Sequence, residues 1–239
     1  MSRRGWPPQI GFLQKPAAAV AMRRAVQRAA RRELSYAGSM AFPPDAALLI
    51  VDVQHDFCAG GALAVPGGDE VVPVVNDVSR AAVAAGAPIF ASRDWHPAHS
   101  PHFAAFGGSW PVHCVQGSHG AALHDQLILP PGASLVTKGD SGRDPHGYDA
   151  FEGHLDDGAS LAKALRARGI TRVVVVGLAT DYCVKNSVFG ARRAGFAVTV
   201  LKDAIRAVDL SEGDGRRAIA DMLAAGADIT DSEEIVLGD

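Results

Sequence analysis

The stretch TRVVVVGLATDYCV, Thr171 to Val184, decides how this chain reads. Four consecutive valines, Val173 to Val176, leave no polar position for a solvent-facing side, so the predicted strand is buried on both faces, the habit of a central parallel strand. The run stops at Gly177, and Cys183 follows just beyond it. In open α/β sheets ligands bind outside the carboxyl ends of the strands, and a helix starting there aims backbone N–H groups at them. Cys183 is therefore a candidate nucleophile. A cysteine after an apolar run is also a common small core residue, and the rest of the chain must decide between the two readings.

Working outward, strand and helix patterns alternate. Leu48 to Val53, Pro88 to Ala91, Ser134 to Thr137, Arg172 to Val176 and Ala197 to Leu201 read as strands, with a sixth over Ala227 to Ile229. Helical spacing covers Glu70 to Ala85, Leu161 to Arg168, Lys185 to Ala194 and Gly215 to Ala225. This alternation implies right-handed crossovers and a parallel sheet covered by helices. The expected fold is a single α/β domain, three-layer α/β/α, with a mainly parallel sheet of about six strands.

Composition sets outer bounds. The 239 residues are 48% hydrophobic and 21% charged, enough for a packed core and not the profile of a disordered chain. No run approaches the ~20 apolar residues of a membrane span, so no membrane partner is expected. Three widely spaced cysteines, Cys58, Cys114 and Cys183, form no CxxC pair; that argues for a reducing, cytoplasmic setting and against a zinc knuckle.

Residues 1–39 carry Arg3, Arg4, Lys15, Arg23, Arg24, Arg28, Arg31 and Arg32 against Glu33 alone, so the overall net charge of −3 conceals an acidic body. An acidic body lacks the clustered Lys and Arg of a nucleic-acid surface. The first 39 residues read as a basic extension, flexible or helical over RRAVQRAARRE. Three explanations compete: an organellar targeting segment, a surface-binding helix, or translated sequence ahead of the true start. Met40 opens MAFPPDAALLIVDVQ, a natural beginning for a strand-first domain over residues 40–239, which favours the third.

Residues just past parallel strands converge on one sheet edge. The first strand ends at Asp52, the second at Arg93 and Asp94, the third at Lys138, and the fourth leads to Cys183. An ammonium such as Lys138 favours a thiolate, and a carboxylate such as Asp52 can take the thiol proton and return it. An ordinary Asp–Lys ion pair is the alternative. After the second strand come Asp94, His96, His99, His102 and His113. One carboxylate with two or three imidazoles suits a single divalent Zn, Fe or Mn ion with room for water or substrate. With a thiol to attack, that ion is free to hold the substrate rather than to generate hydroxide.

With these pieces the chain, from about Ala46 onward, resembles the isochorismatase-like cysteine hydrolases and, within them, the nicotinamidase/pyrazinamidase family. VDVQHDFCAGGALAV is similar to the family's first motif, SRDWHPAHSPHF to its metal loop, VTKG to its lysine motif and GLATDYCV to its nucleophile motif. The resemblance implies catalytic Asp52, Lys138 and Cys183, and metal ligands Asp94, His96, His102 and His113, with zinc the first choice of ion. It also implies Phe57 and Trp110 against the substrate ring and a cis peptide between Leu178 and Ala179. That peptide turns the Ala179 N–H toward an oxyanion hole shared with the N–H of Cys183. The implied activity is hydrolysis of nicotinamide, and of pyrazinamide, through a thioester, in NAD salvage. His55 stands where Asn is common and Tyr182 where His occurs, both near the pocket; His99 matches no ligand and is expected exposed or behind the ligands. Two other readings stay open: an amidase of the same superfamily acting on a carbamoyl or ureido substrate, and a non-catalytic metal- or ligand-sensing domain. A homo-oligomer also stays open.

Overall fold

Strand β1, Ala46–Val51, is buried along its whole length and hydrogen-bonds in parallel to β2 (Ile89–Asp94) on one side and to β5 (Arg172–Leu178) on the other. The structure is a computed structural model that describes residues 42–140 and 147–236. Outside β2 lie β3 (Ser134–Lys138) and β4 (His154–Leu155); outside β5 lie β6 (Ala197–Arg206) and β7 (Asp228–Thr230). The sheet order is β4-β3-β2-β1-β5-β6-β7, with only the β3–β4 pair antiparallel.

The seventh strand is the departure from the expected six. β4 is two residues long, too short to show an alternating pattern, and its existence depends on the edge of β3 being free to pair. The expectation for residues 1–39 falls outside the described residues.

The valine run explains itself in three dimensions. Val174 and Val176 join Leu48 and Ile50 in one apolar cluster, while Val173 and Val175 join Leu49 and Val51 in the other. The first cluster is closed by α1 (Val71–Ala84), through Val71, Val75 and Val78, and by Ile235 of α5 (Glu233–Val236). The second is closed by α2 (Leu161–Ala167), α3 (Lys185–Arg193) and α4 (Asp214–Ala224), through Leu161, Leu165, Val188 and Met222. Each fully buried aliphatic side chain contributes roughly 1.5–3 kcal/mol, so both faces of β1 and β5 are apolar because both are covered. None of the helices among the described residues is long and apolar enough to cross a membrane.

Chain order reverses at β1: the sequence winds outward through β2 and β3, then returns to β5 on the opposite side. Crevices at such switch points, at the carboxyl ends of the strands, are where α/β sheets bind ligands. Asp52 and Cys183 flank this one.

Candidate active site

Asp52 follows β1 with a left-handed backbone, φ 47°, a conformation that non-glycine residues adopt rarely and that clusters at functional sites. Its carboxylate is fully buried. Oδ2 pairs with Lys138 Nζ at 2.6 Å, and Oδ1 accepts a hydrogen bond from Ser92 Oγ at 2.7 Å. Lys138, the last residue of β3 and also buried, donates to Asp94 Oδ1 and to the carbonyl of Gly147, and its Nζ lies 3.6 Å from Cys183 Sγ. An ammonium has three protons; the geometry directs them to the Asp94 and Gly147 oxygens and to the Cys183 sulfur, while Asp52 Oδ2 meets the charge as an ion pair.

The ionisation pattern follows. Burial alone pushes Asp94 up, but the Lys138 ammonium and His96 outweigh it and hold the carboxyl down to about 2. Burial works to lower Lys138, and Asp52 and Asp94 overturn it, so the ammonium persists. Burial pushes Asp52 up against the pull of Lys138, and it pushes the Cys183 thiol well up against the same ammonium. Asp52 and Cys183, both raised and in one buried cluster with Asp94, are the pair suited to exchange a proton.

The delivery of Cys183 is local. Gly177 carries φ 111°, and a Cβ there would lie 2.1 Å from the Val51 carbonyl oxygen, so only glycine lets β5 approach the end of β1. The Leu178–Ala179 peptide is cis, as the resemblance implies. Residues 180–184 then form a wide turn in which the Val184 N–H donates to the Ala179 carbonyl, an i to i+5 bond of 3.1 Å. Such π-type turns recur at functional sites. Asp181 anchors the turn by accepting from the N–H groups of Val208 (3.0 Å) and Asp209 (2.9 Å).

The imidazoles gather beside this cluster. Donor atoms of His96, His102 and His113, all buried, lie within 4.8 Å of one another. His96 Nδ1 faces the Gly139 carbonyl at 3.2 Å and His113 Nδ1 the Pro111 carbonyl at 2.7 Å. A carbonyl only accepts, so each Nδ1 carries its ring's proton and each Nε2 presents a lone pair. His96 Nε2 is buried with no hydrogen-bond partner among the described residues, 3.6 Å from Asp94 Oδ2. Burial pushes the His113 imidazole down, toward the neutral form a metal requires. An orphaned His96 Nε2, on a ring backed by a carbonyl and beside two further buried imidazoles, fits a divalent cation. His99 stays out: it is exposed, its ring 5.1 Å from Phe106.

A partly open cavity connects the two clusters. Phe57, Trp110, His102, His113, Asp94, Ala179 and Cys183 line it, together with Leu63, Tyr148, Tyr182 and Val208. Tyr148 and Val208 are walls that sequence reasoning missed. Trp110 Nε1 donates to Tyr148 Oη at 2.6 Å, and the rings of Trp110 and Tyr182 meet edge to face at 4.9 Å. The signal for Tyr148 was weak, one aromatic in a Gly-rich loop. Tyr182 does reach the pocket, whereas His55 is not among its lining residues: it packs on His119 at 4.0 Å and pairs with Asp125 at 3.2 Å. A third group, Cys58, Asp69 and His124, also comes together. There Asp69 accepts from the Ala59 N–H and pairs with His124. Both carboxylate oxygens are used, and the group reads as a brace between loops.

Residues 46–234 match the model of the isochorismatase domain. The nicotinamidase of Escherichia coli K12 is 40% identical over 203 residues, covering 77% of this chain and 93% of that protein. A pyrazinamidase of Pyrococcus horikoshii, solved in complex with zinc, superposes with a TM-score of 0.71 at 41% identity, covering 79% of this chain and 99% of its own. PnC1 of L. infantum, solved in complex with nicotinate, gives a TM-score of 0.71 at 36% identity, covering 82% and 98%. A thiol, an acid and a lysine at three strand ends, beside a buried set of imidazoles, thus coincide with likeness across nearly the whole domain, and the chain belongs to the isochorismatase family, in its nicotinamidase/pyrazinamidase branch.

Proposed function

We propose that the protein is a cysteine amidohydrolase that converts nicotinamide to nicotinate and ammonia, accepts pyrazinamide, and serves NAD salvage. The observation that carries the reading is the shared cavity: Cys183, with Lys138 Nζ 3.6 Å away, lines the same space as His102, His113 and Asp94, with the buried His96 beside them, an apolar-walled pocket with a few convergent polar groups. Relatives whose names record nicotinamidase and pyrazinamidase activity support the substrate class.

Asp94, His96, His102 and His113 would hold one divalent ion, zinc by preference, which would supply a Lewis-acid anchor for the ring nitrogen of the substrate. Phe57 and Trp110 would sandwich the ring and direct the carboxamide at Cys183. As Sγ attacks the carbonyl carbon, Asp52 takes the thiol proton, and the backbone N–H groups of Ala179 and Cys183 receive the oxyanion, donors typically worth ~3 kcal/mol each. Asp52 passes the proton to the departing nitrogen, ammonia leaves, and a thioester remains. Asp52 then removes a proton from water, the hydroxyl adds to the thioester carbonyl, and the sulfur departs as nicotinate forms, recovering its proton from Asp52. Throughout, Lys138 holds Asp52 and balances the negative charge on sulfur.

The test is ammonia release from nicotinamide by metal-analysed protein, with pyrazinamide and a ureido acid alongside. Cys183→Ala should lower turnover by at least about 10⁴-fold, as loss of a nucleophile does elsewhere, while still binding nicotinate. Full activity in that variant would overturn the thioester route.

A further inference from the structure

The β1–β2 ladder ends at Ile50 opposite Ala91, yet the two acids that matter most, Asp52 and Asp94, lie past that point. At Asp52 the chain turns sharply, with the Gln54 N–H donating to the Asp52 carbonyl at 2.8 Å, so backbone pairing cannot continue. Two side chains replace it. Ser92, on β2, donates across to Asp52 Oδ1 at 2.7 Å. Gln54, beyond β1, reaches back: its Oε1 accepts the Asp94 N–H at 2.8 Å, and its Nε2 donates to the Asp94 carbonyl at 2.8 Å and to the Ala121 carbonyl at 2.9 Å. Both residues are fully buried. Each acid is therefore set by the residue two positions from the other acid, on the opposite segment.

The two links differ in what they fix. Ser92 occupies one carboxylate oxygen of Asp52, which fixes the carboxylate plane and leaves Oδ2 to Lys138 and the thiol. Gln54 touches no carboxylate: its amide pairs with the Asp94 peptide as a neighbouring strand would, and so sets where the Asp94 side chain begins. We propose that Ser92 and Gln54 are positioning residues that divide control of the site, Ser92 orienting Asp52 for proton transfer and Gln54 seating Asp94 for metal binding. The division rests on the function proposed above for Asp52 and Asp94.

The experiment compares wild type, Ser92→Ala, Ser92→Thr and Gln54→Met. The readouts are kcat and KM for ammonia release from nicotinamide at saturating zinc, and zinc affinity by competition with a chromogenic chelator. Ser92→Ala should lower kcat about 10- to 100-fold, the scale of a misplaced catalytic group, with KM and zinc affinity within about threefold of wild type. Ser92→Thr, which keeps the hydroxyl, should recover most of kcat. Gln54→Met should weaken zinc binding about 10- to 100-fold, as loss of a ligand's supporting hydrogen bonds does elsewhere, with kcat at saturating zinc within about threefold. If Gln54→Met is not recovered folded, Gln54→Glu, which keeps the acceptor for the Asp94 N–H and the volume, carries the zinc measurement. The division is overturned if Ser92→Ala weakens zinc as much as the Gln54 variant does, or if the Gln54 variant loses kcat with zinc affinity intact. Absence of ammonia release by the wild type would refute the proposed substrate, and the zinc titrations would still decide whether Gln54 and Ser92 act on different halves of the site.

Discussion

Lys138 is the residue on which the site's charge balance turns. It is fully buried between Asp52 and Asp94, and removing one partner of a buried ionic cluster costs about 3–5 kcal/mol because the charges left behind are uncompensated. Lys138→Met should therefore lower the free energy of unfolding by that amount, read by urea denaturation, and should abolish turnover as well. A variant with wild-type stability would show that the two carboxylates do not depend on the ammonium. The cysteines illustrate the same dependence on surroundings: Cys58, Cys114 and Cys183 are all buried and free. Burial pushes every one of their thiols up. Among the described residues, Cys183 is the one with an ammonium at 3.6 Å, and it lines the cavity.

At the scale of elements, the approach of β5 to β1 is set by Gly177. A methyl group there would sit 2.1 Å from the Val51 carbonyl oxygen, in a backbone conformation of φ 111° that L side chains rarely adopt. Gly177→Ala should cost about 2–4 kcal/mol through strain and forced separation, lowering the melting temperature. It should also reduce turnover in the protein that remains folded, since the turn bearing Cys183 begins three residues on. An unchanged melting temperature would mean that β1 and β5 can part without penalty. On the other flank, Gly139 makes room for the His96 ring, whose Cε1 would lie 2.6 Å from an added Cβ.

For the whole molecule, two stability dependences are expected. Asp149, on the loop before β4, is nearly buried, and burial pushes its carboxyl up to about 6 although it accepts from the Phe151 N–H and pairs with the exposed Arg193. A carboxyl with a raised folded pKa binds its proton more tightly in the fold than in the unfolded chain. Its contribution is thus greatest below about pH 4 and is lost as pH rises through about 6. Asp149→Asn should accordingly gain stability relative to wild type on going from pH 4.5 to 7.5, by roughly 1–3 kcal/mol; a pH-independent difference would contradict this. Zinc at 100 times its dissociation constant should add about 2.7 kcal/mol to the unfolding free energy, seen as a rise in melting temperature that chelation reverses. His102→Ala should remove that rise.

Periodicity and motif spacing by themselves determined the parallel α/β architecture, because a run such as Val173–Val176 has only one use in a soluble domain: a strand covered on both faces. They also pointed to Asp52, Lys138 and Cys183, since strand ends in such a sheet must share an edge, and to the histidine loop, since four imidazoles near one carboxylate form a dense signal. Resemblance was needed to separate His99 from His102 and His113, whose spacing alone does not say which ring folds back. Local sequence could not supply β4, which exists only because β3 has an unpaired edge, nor Tyr148, which becomes a wall only when its loop meets Trp110. The reciprocal links of Ser92 to Asp52 and Gln54 to Asp94 were equally hidden. They join residues 40 apart in sequence, and a hydrogen bond across that distance is decided by where the tertiary fold ends one strand relative to its neighbour.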